Sequence, residues 1–296
     1  VSGHPLHRPR GSAASGPYDV ALGPADAGWG HAGLHVLTLV AGSSHLLEAG
    51  EREQVLVSLA GGVRVEVEAP QRRTVDLEGR PSVFSGPTDV LYLPRGSRAL
   101  LTPDSTGPDA VSRVALASAP AAQGFPIRHV LADDVPVELR GRGSCSREVH
   151  DLGTPGVLDA ASIIVCEVLT PGGNWSSYPP HKHDEDRPGE TVLEEVYYFE
   201  VAGGPDDAGV AYQRVYGTDE RPLDLLAEVR DGDVVLVPHG WHGPSMAAPG
   251  YDLYYLNVMA GPGPERAWRI CDDPVHAWVR GTWDDQDVDP RLPFGR

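Results

Sequence analysis

The sequence predicts an all-β chain made of two similar antiparallel β-barrels with few short helices. Three observations carry this. Of 296 residues, 35 are Gly and 28 are Pro, about a fifth of the chain, which favours many short strands joined by turns over long helices. Short runs such as HVLTLVAG, EQVLVSLAGGVRVEVEA, SVFSGPTDVLYLPRGS and SRVALASA alternate apolar and polar residues between Gly and Pro punctuation, as half-buried antiparallel strands do. An internal repeat relates residues 89–98, DVLYLPRGSR, to residues 233–242, DVVLVPHGWH. Asp-Val, an aliphatic strand, Pro, a basic residue and Gly share one register, so the two copies are expected to be equivalent strands of two barrels.

In chain order, residues 1–16 are rich in Gly, Ser, Pro and Arg without periodicity and are expected to form a mobile arm. Residues 17–130 make the first barrel. A stretch near 119–155 reads as the connection, and residues 131–262 supply the linker and second barrel. The tail 263–296 carries Trp268, Trp278 and Trp283 among charges and prolines, which suggests segments packing across another surface. The length suits one large β domain or two of ordinary size.

With 42 acidic against 24 basic residues the net charge is −18, which argues against nucleic acid and anionic membranes as partners. An anionic small molecule stays possible, because it needs only a local Arg or a metal. No apolar run approaches a membrane span, and no charged segment followed by an apolar one opens the chain. The three cysteines, Cys145, Cys166 and Cys271, are too few and scattered for a disulfide scaffold, so a reducing cytoplasm is expected.

The chemistry concentrates in the second half. In YPPHKHDEDRPGETVLEEVYYF, His-x-His places His181 and His183 on one face of an extended strand, because side chains alternate with period two. Glu194 and Glu195 open the next strand, and alternation alone does not choose between them, since Val196 and Tyr197 both suit a barrel interior. DGDVVLVPHGWHGP then delivers His242 just past an aliphatic strand, with Pro238 and Gly240 marking the turn. Three imidazoles and one carboxylate are the mixed set accepted by one divalent Zn, Mn, Ni or Fe ion, with positions left for water or substrate. In the first half, Arg98 takes the place of His242, and a guanidinium cannot bind a cation. His31 and His35 stand four apart with no partner motif in the sequence. The first barrel is therefore expected to be a metal-free structural copy.

The ordered pattern of His-x-His, Glu before an aromatic strand, and Pro-x-Gly-x-His resembles the two cupin motifs. More specifically, TPGGNWSSYPPHKHD, LEEVYYF, QRVYGTD, VRDGDVVLVPHGWH and PGYDLYYLNVMAGP resemble the 5-deoxy-glucuronate isomerase family of myo-inositol catabolism, and the likeness extends over nearly the whole chain. The resemblance implies a bicupin of two jelly-roll barrels, related to 4-deoxy-5-ketouronate isomerases, with its metal on His181, His183, Glu195 and His242. The family motif, with Glu directly before Val-Tyr, selects Glu195. One departure is His239, where the family usually has Arg.

The reaction implied is isomerisation of 5-deoxy-D-glucuronate to 2-deoxy-5-keto-D-gluconate, by proton movement between neighbouring carbons. Tyr197, Tyr216 and Asp233 are the proton-carrier candidates, beside Asp231 and a metal-held hydroxide. Asp231 and Asp233 also suit the plainer role of shaping the DGD turn. The substrate carboxylate wants a bidentate donor, for which Arg214 is the candidate. Lys182 is grouped with the substrate contacts as the residue between two ligands, although alternation points it away from them. Two other readings compete: a metal-dependent cupin dioxygenase, which would consume oxygen, and a non-catalytic sugar-acid binding bicupin, which would lack the ligands. The Trp-bearing tail hints at a homo-oligomer.

Overall fold

Strand Glu194–Ala202 is buried along nearly its whole length, which requires a partner on each face of its sheet. The computed structural model, which describes residues 4–104, 110–204 and 208–295, shows both partners. One face of this strand looks into a barrel and carries Tyr197 and Phe199; the other carries Val196 and Tyr198 and packs against the first half of the chain.

The second barrel is two sheets closed face to face. A seven-stranded antiparallel sheet runs in the order His7–Arg8, Val234–Val237, Glu194–Ala202, Asp252–Ala260, Ile164–Thr170, Arg147–Gly153, Val137–Arg140. Opposite it, Asp224–Val229, Ala211–Tyr216, Trp241–Ala247, His181–Lys182 and Cys271–Asp272 lie side by side, with Trp175–Ser176 paired to Trp241–Ala247. In the first barrel the 18-residue strand Arg52–Ala69 serves both layers. Its first half pairs with Val90–Leu93 and Val111–Pro120, its second half with Arg73–Arg80 and Arg98–Pro103. The change of layer falls at Gly61, whose φ of +74° and a would-be Cβ 2.6 Å from the Val111 carbonyl oxygen exclude any side chain. Helix is confined to the short segments Pro24–Ala27, Ala277–Asp285 and a few single turns, and among the described residues no helix is long and apolar enough to cross a membrane.

Each barrel has its own apolar filling, and a third cluster joins them. Val55, Val57 and Tyr92 from the first half meet Val196, Tyr198, Leu256 and Val258 from the second. Fully burying each such side chain contributes about 1.5–3 kcal/mol, so the seam is a core in its own right. The polar ties across it follow an approximate twofold pattern. The Glu53 carboxylate accepts the amides of Ala161, Ser162 and Ile163 at 2.7–2.8 Å, and Glu194 accepts those of Gly30, His31 and Ala32 at 2.7–2.9 Å. A further tie is fully buried: Arg80 grips Glu167 with two 2.6 Å bonds, and His150 lies between Glu167 and Glu148, also at 2.6 Å to each.

One expectation needs correcting. The arm 1–16 is not free over the residues described: His7–Arg8 adds to the open edge of Val234–Val237, where unpaired backbone groups would otherwise be exposed. His7 Nε2 bonds Asp233 at 2.9 Å, and the Arg10 amide donates to the same carboxylate at 2.8 Å. The first barrel repeats the arrangement, with Arg128–Val130 against Val90–Leu93 and His129 on Asp89 at 2.8 Å. The tail, in turn, packs on the second barrel of its own chain: the Arg147 and Arg280 guanidinium groups sit 5.7 and 5.2 Å from the Trp283 ring. Trp278 and Val275 point outward, 68% and 70% exposed.

Candidate metal centre

The two sheets of the second barrel each bring part of the centre. His181 and His242 are direct partners on neighbouring strands of one sheet. His183 follows two residues after His181, and its carbonyl accepts the Leu193 amide at 2.9 Å, which holds the segment against the start of Glu194–Ala202 on the other sheet. Glu195 projects from that strand into the barrel. Gly243 lets Trp241–Ala247 approach closely: with φ +102°, a Cβ there would lie 1.8 Å from the Ser177 carbonyl oxygen.

One nitrogen from each of His181, His183 and His242 lies within 4.8 Å of the others. Glu195 Oε2 is 3.0 Å from His183 Nε2 and 3.1 Å from His242 Nε2. His183, Glu195 and His242 are almost wholly buried. Two carbonyls set the tautomers: His183 Nδ1 donates to Leu193 O and His242 Nδ1 to Gly240 O, both at 3.1 Å. A carbonyl only accepts, so each Nδ1 carries hydrogen, and in the neutral form of each ring the Nε2 lone pair is turned toward the carboxylate. Lone pairs facing an anion in a buried site call for a cation between them. His242 Nε2 is correspondingly buried without a hydrogen-bond partner. The donor set therefore fits a divalent transition metal on its own chemistry.

Burial and mutual charge set the protonation preferences of the cluster. Burial, with His242 and His183 adding to it, pulls His181 well below the usual imidazole range and keeps it neutral. Burial would push the Glu195 carboxyl up, but the His183 and His242 imidazoles bring it down to about 2. Burial also lowers His183, and the Glu195 carboxylate more than offsets it. Burial and the nearby Glu195 push the Tyr197 phenol well above its usual value, so it holds its proton at neutral pH.

A cavity opens beside His181 and Glu195, and Tyr197 lines it, its ring centroid 6.2 Å from that of His242 and its hydroxyl 3.4 Å from Ser177 Oγ. The other catalytic and substrate candidates lie off its lining. Tyr216 bonds Asp273 through its hydroxyl. Asp233 is taken up by His7 and the amides of Arg10 and Arg230. Arg214 pairs with Asp224 on the barrel exterior. Lys182 faces away from the histidines into Asp184, Glu185 and Glu190 at 2.6–2.8 Å, and these carboxylates outweigh burial to raise it to about 12. His239 is also off the cavity, its Nδ1 unpartnered.

Other residues, unnoticed in the motifs, complete the wall: Arg140, Arg147, Tyr255, Asn257, Trp268 and Arg280. Tyr255 and Asn257 were within reach of period-two reasoning, because Asn257 pairs with Tyr197 and Met259 with Glu195 across neighbouring strands. The arginines and Trp268 come from sequence-distant segments and carry no local signal.

Two fused antiparallel barrels with a histidine triad inside the second define the molecule as a bicupin. The chain belongs to the KduI/IolB family, which residues 6–279 match. It is 40% identical over 264 residues to 5-deoxy-glucuronate isomerase of Geobacillus kaustophilus, covering 88% of this chain and 90% of that one. An IolB-like protein from Salmonella typhimurium has a crystal structure that superposes with a TM-score of 0.81 at 36% identity, over 93% of this chain and 98% of that one. Oxalate decarboxylase from Lactobacillus farciminis shares the fold alone, at a TM-score of 0.59 and 13% identity over 85% and 82% of the two chains.

Proposed function

We propose that this chain isomerises 5-deoxy-D-glucuronate to 5-dehydro-2-deoxy-D-gluconate at the centre formed by His181, His183, Glu195 and His242. The observation that carries the reading is the approach of two carbonyl-fixed Nε2 atoms to the Glu195 carboxylate inside the barrel, with His181 completing a histidine triad beside them. The choice of sugar acid rests on the relatives at 40% identity that carry the isomerase name.

His181, His183, Glu195 and His242 would hold a divalent Mn, Fe, Ni or Zn ion, which would supply Lewis acidity at the aldehyde end of the sugar. Moving the carbon-bound proton from C2 to C1 and the hydroxyl proton from O2 to O1 converts aldose to ketose with no oxidant, through an enediol. Charge develops on those oxygens, and Tyr197, protonated and lining the cavity, donates a hydrogen bond to one of them. The closed apolar wall behind it, with Phe199 and Tyr255 packed on the Tyr197 ring at 5.9 and 5.1 Å, fixes the phenol's position and excludes water. Free cysteines and a dissolved sugar-acid substrate are consistent with work in the cytoplasm. The reading is tested by following 5-deoxy-D-glucuronate with metal-loaded protein: conversion that survives removal of oxygen and ends with chelation supports it, and oxygen-dependent turnover overturns it.

A further inference from the structure

The cavity beside His181 and Glu195 is lined by a cluster of donors set among the apolar side chains of Val149, Val168 and Ile270. Arg140, Arg147 and Arg280 line it together with Asn257 and Trp268. Asn257 is only 3% exposed, and its Nδ2 has no hydrogen-bond partner; Trp268 Nε1 is also buried and unpartnered. An orphaned buried donor is costly to the fold, and two of them on residues that line one cavity mark it as shaped for oxygen-rich contents.

The three arginines differ in what they already hold. Arg280 bonds Asp272 with Nη2 at 2.7 Å, and Arg140 bonds Glu138 with Nε at 2.6 Å. Arg147 pairs with no carboxylate among the described residues; its one bond is from Nη1 to the Cys145 carbonyl at 3.1 Å. It is 8% exposed, held against the Trp283 ring of the tail. A buried guanidinium without a counter-charge is the costly half of an ion pair, and its fork geometry matches a carboxylate.

We propose that Arg147, flanked by Arg140 and Arg280, is the carboxylate anchor of this cavity, and that Asn257 Nδ2 and Trp268 Nε1 take hydroxyl oxygens of the same open-chain sugar acid. The assignment rests on the isomerase reading and replaces Arg214, which lies outside the cavity. It gives the tail a working role, since Trp268, Trp283 and Arg280 all come from residues 263–296. It also sets the substrate's orientation: the carboxylate end toward the arginines, the aldehyde end toward the histidines.

The test uses metal-loaded protein and two non-isomerisable probes, L-gulonate and its uncharged counterpart D-glucitol, in calorimetric titrations beside turnover of 5-deoxy-D-glucuronate. Arg147→Met, similar in length and uncharged, is expected to weaken L-gulonate binding and raise KM by roughly 30- to 100-fold, with D-glucitol affinity, metal content and kcat little changed. Arg147→Lys keeps the charge without the fork and should fall between; it also reads the effect should the Met variant fail to fold. Unchanged L-gulonate affinity, or equal loss for both probes, overturns the anchor. Failure of the isomerase reading looks different: the wild type would leave 5-deoxy-D-glucuronate unconverted, yet still bind L-gulonate in an Arg147-dependent way.

Discussion

Gln54 stands in the first barrel where Glu195 stands in the second. Asp89 and Asp233 open the repeated strands, and Gln54 pairs with Leu93 as Glu195 pairs with Val237. Gln54 Oε1 is buried without a partner, and Arg98, in the register of His242, turns to Glu68 at 3.1 Å. An amide and a guanidinium in these places leave the first barrel without a carboxylate–imidazole pair at the equivalent position. The metal content of purified protein should be one ion per chain, and Gln54→Glu should leave it at one, as read by elemental analysis. Two ions per chain would contradict this.

Glu194 and Glu195 are adjacent but face opposite sides of one sheet, so their amide variants should fail in opposite ways. Glu195→Gln removes the only negative charge among three imidazoles. It should lose more than about 100-fold in metal affinity, beyond what outer-shell changes cost, with unfolding little changed. Glu194→Gln leaves the centre intact but weakens three charge-assisted bonds to amides of the other barrel, and should cost about 2–4 kcal/mol in urea unfolding. Metal titration and urea melts on both variants check the pair; similar behaviour of the two would contradict the assignment.

The buried Arg80–Glu167–His150–Glu148 chain predicts how stability varies with pH. Although burial pulls His150 down, the two carboxylates raise it to about 9. A group raised in the folded state contributes stability that is whole below its unfolded value of about 6.5 and lost as pH climbs through about 9. Glu167, lowered to about 2 by Arg80 and His150 against the effect of burial, works the other way, and its contribution is lost as pH falls from about 4.5 toward 2. Wild-type stability should therefore decline between pH 6.5 and 9, while His150→Gln should be less stable at pH 6.5 and show a flatter profile. Equal slopes in the two proteins would remove His150 as the cause. Arg80→Met strands Glu167 and should cost about 3–5 kcal/mol at pH 7.

Tyr197→Phe should lower kcat by roughly 100-fold with KM and metal content nearly unchanged, the pattern of a hydrogen bond made mainly in the transition state. Tyr216→Phe breaks only the contact with Asp273 and should stay within about threefold of wild type. Steady-state kinetics on both decide it; equal losses would put the proton-holding group elsewhere.

The metal-binding candidates were legible because each lies in a short motif with its own periodicity. His-x-His fixes a common face, Pro-x-Gly-x-His ends a strand, and the repeat at 89–98 and 233–242 betrays the second barrel. Glu195 needed the family motif, since Glu194 and Glu195 differ only in which face their strand turns inward, and both faces are buried. Asp233, Arg214 and Lys182 were drawn in by nearness in sequence, yet each is held by a neighbour: His7, Asp224 and Glu190. Arg147 and Arg280 were invisible for the converse reason. They are brought to the cavity by a sheet edge and a folded-back tail, contacts that no local pattern records. The docking of His7–Arg8 was hidden likewise, because it depends on an open strand edge more than 220 residues away.

Metal-dependent isomerisation without oxygen is tested by proton NMR of 5-deoxy-D-glucuronate incubated anaerobically with the metal-loaded protein in D2O. The aldehyde signal should fall and that of the keto acid grow, stopped by chelator and restored by added divalent metal. Protein of verified metal content that leaves the sugar acid unchanged, or converts it only when oxygen is admitted, would rule out an isomerase.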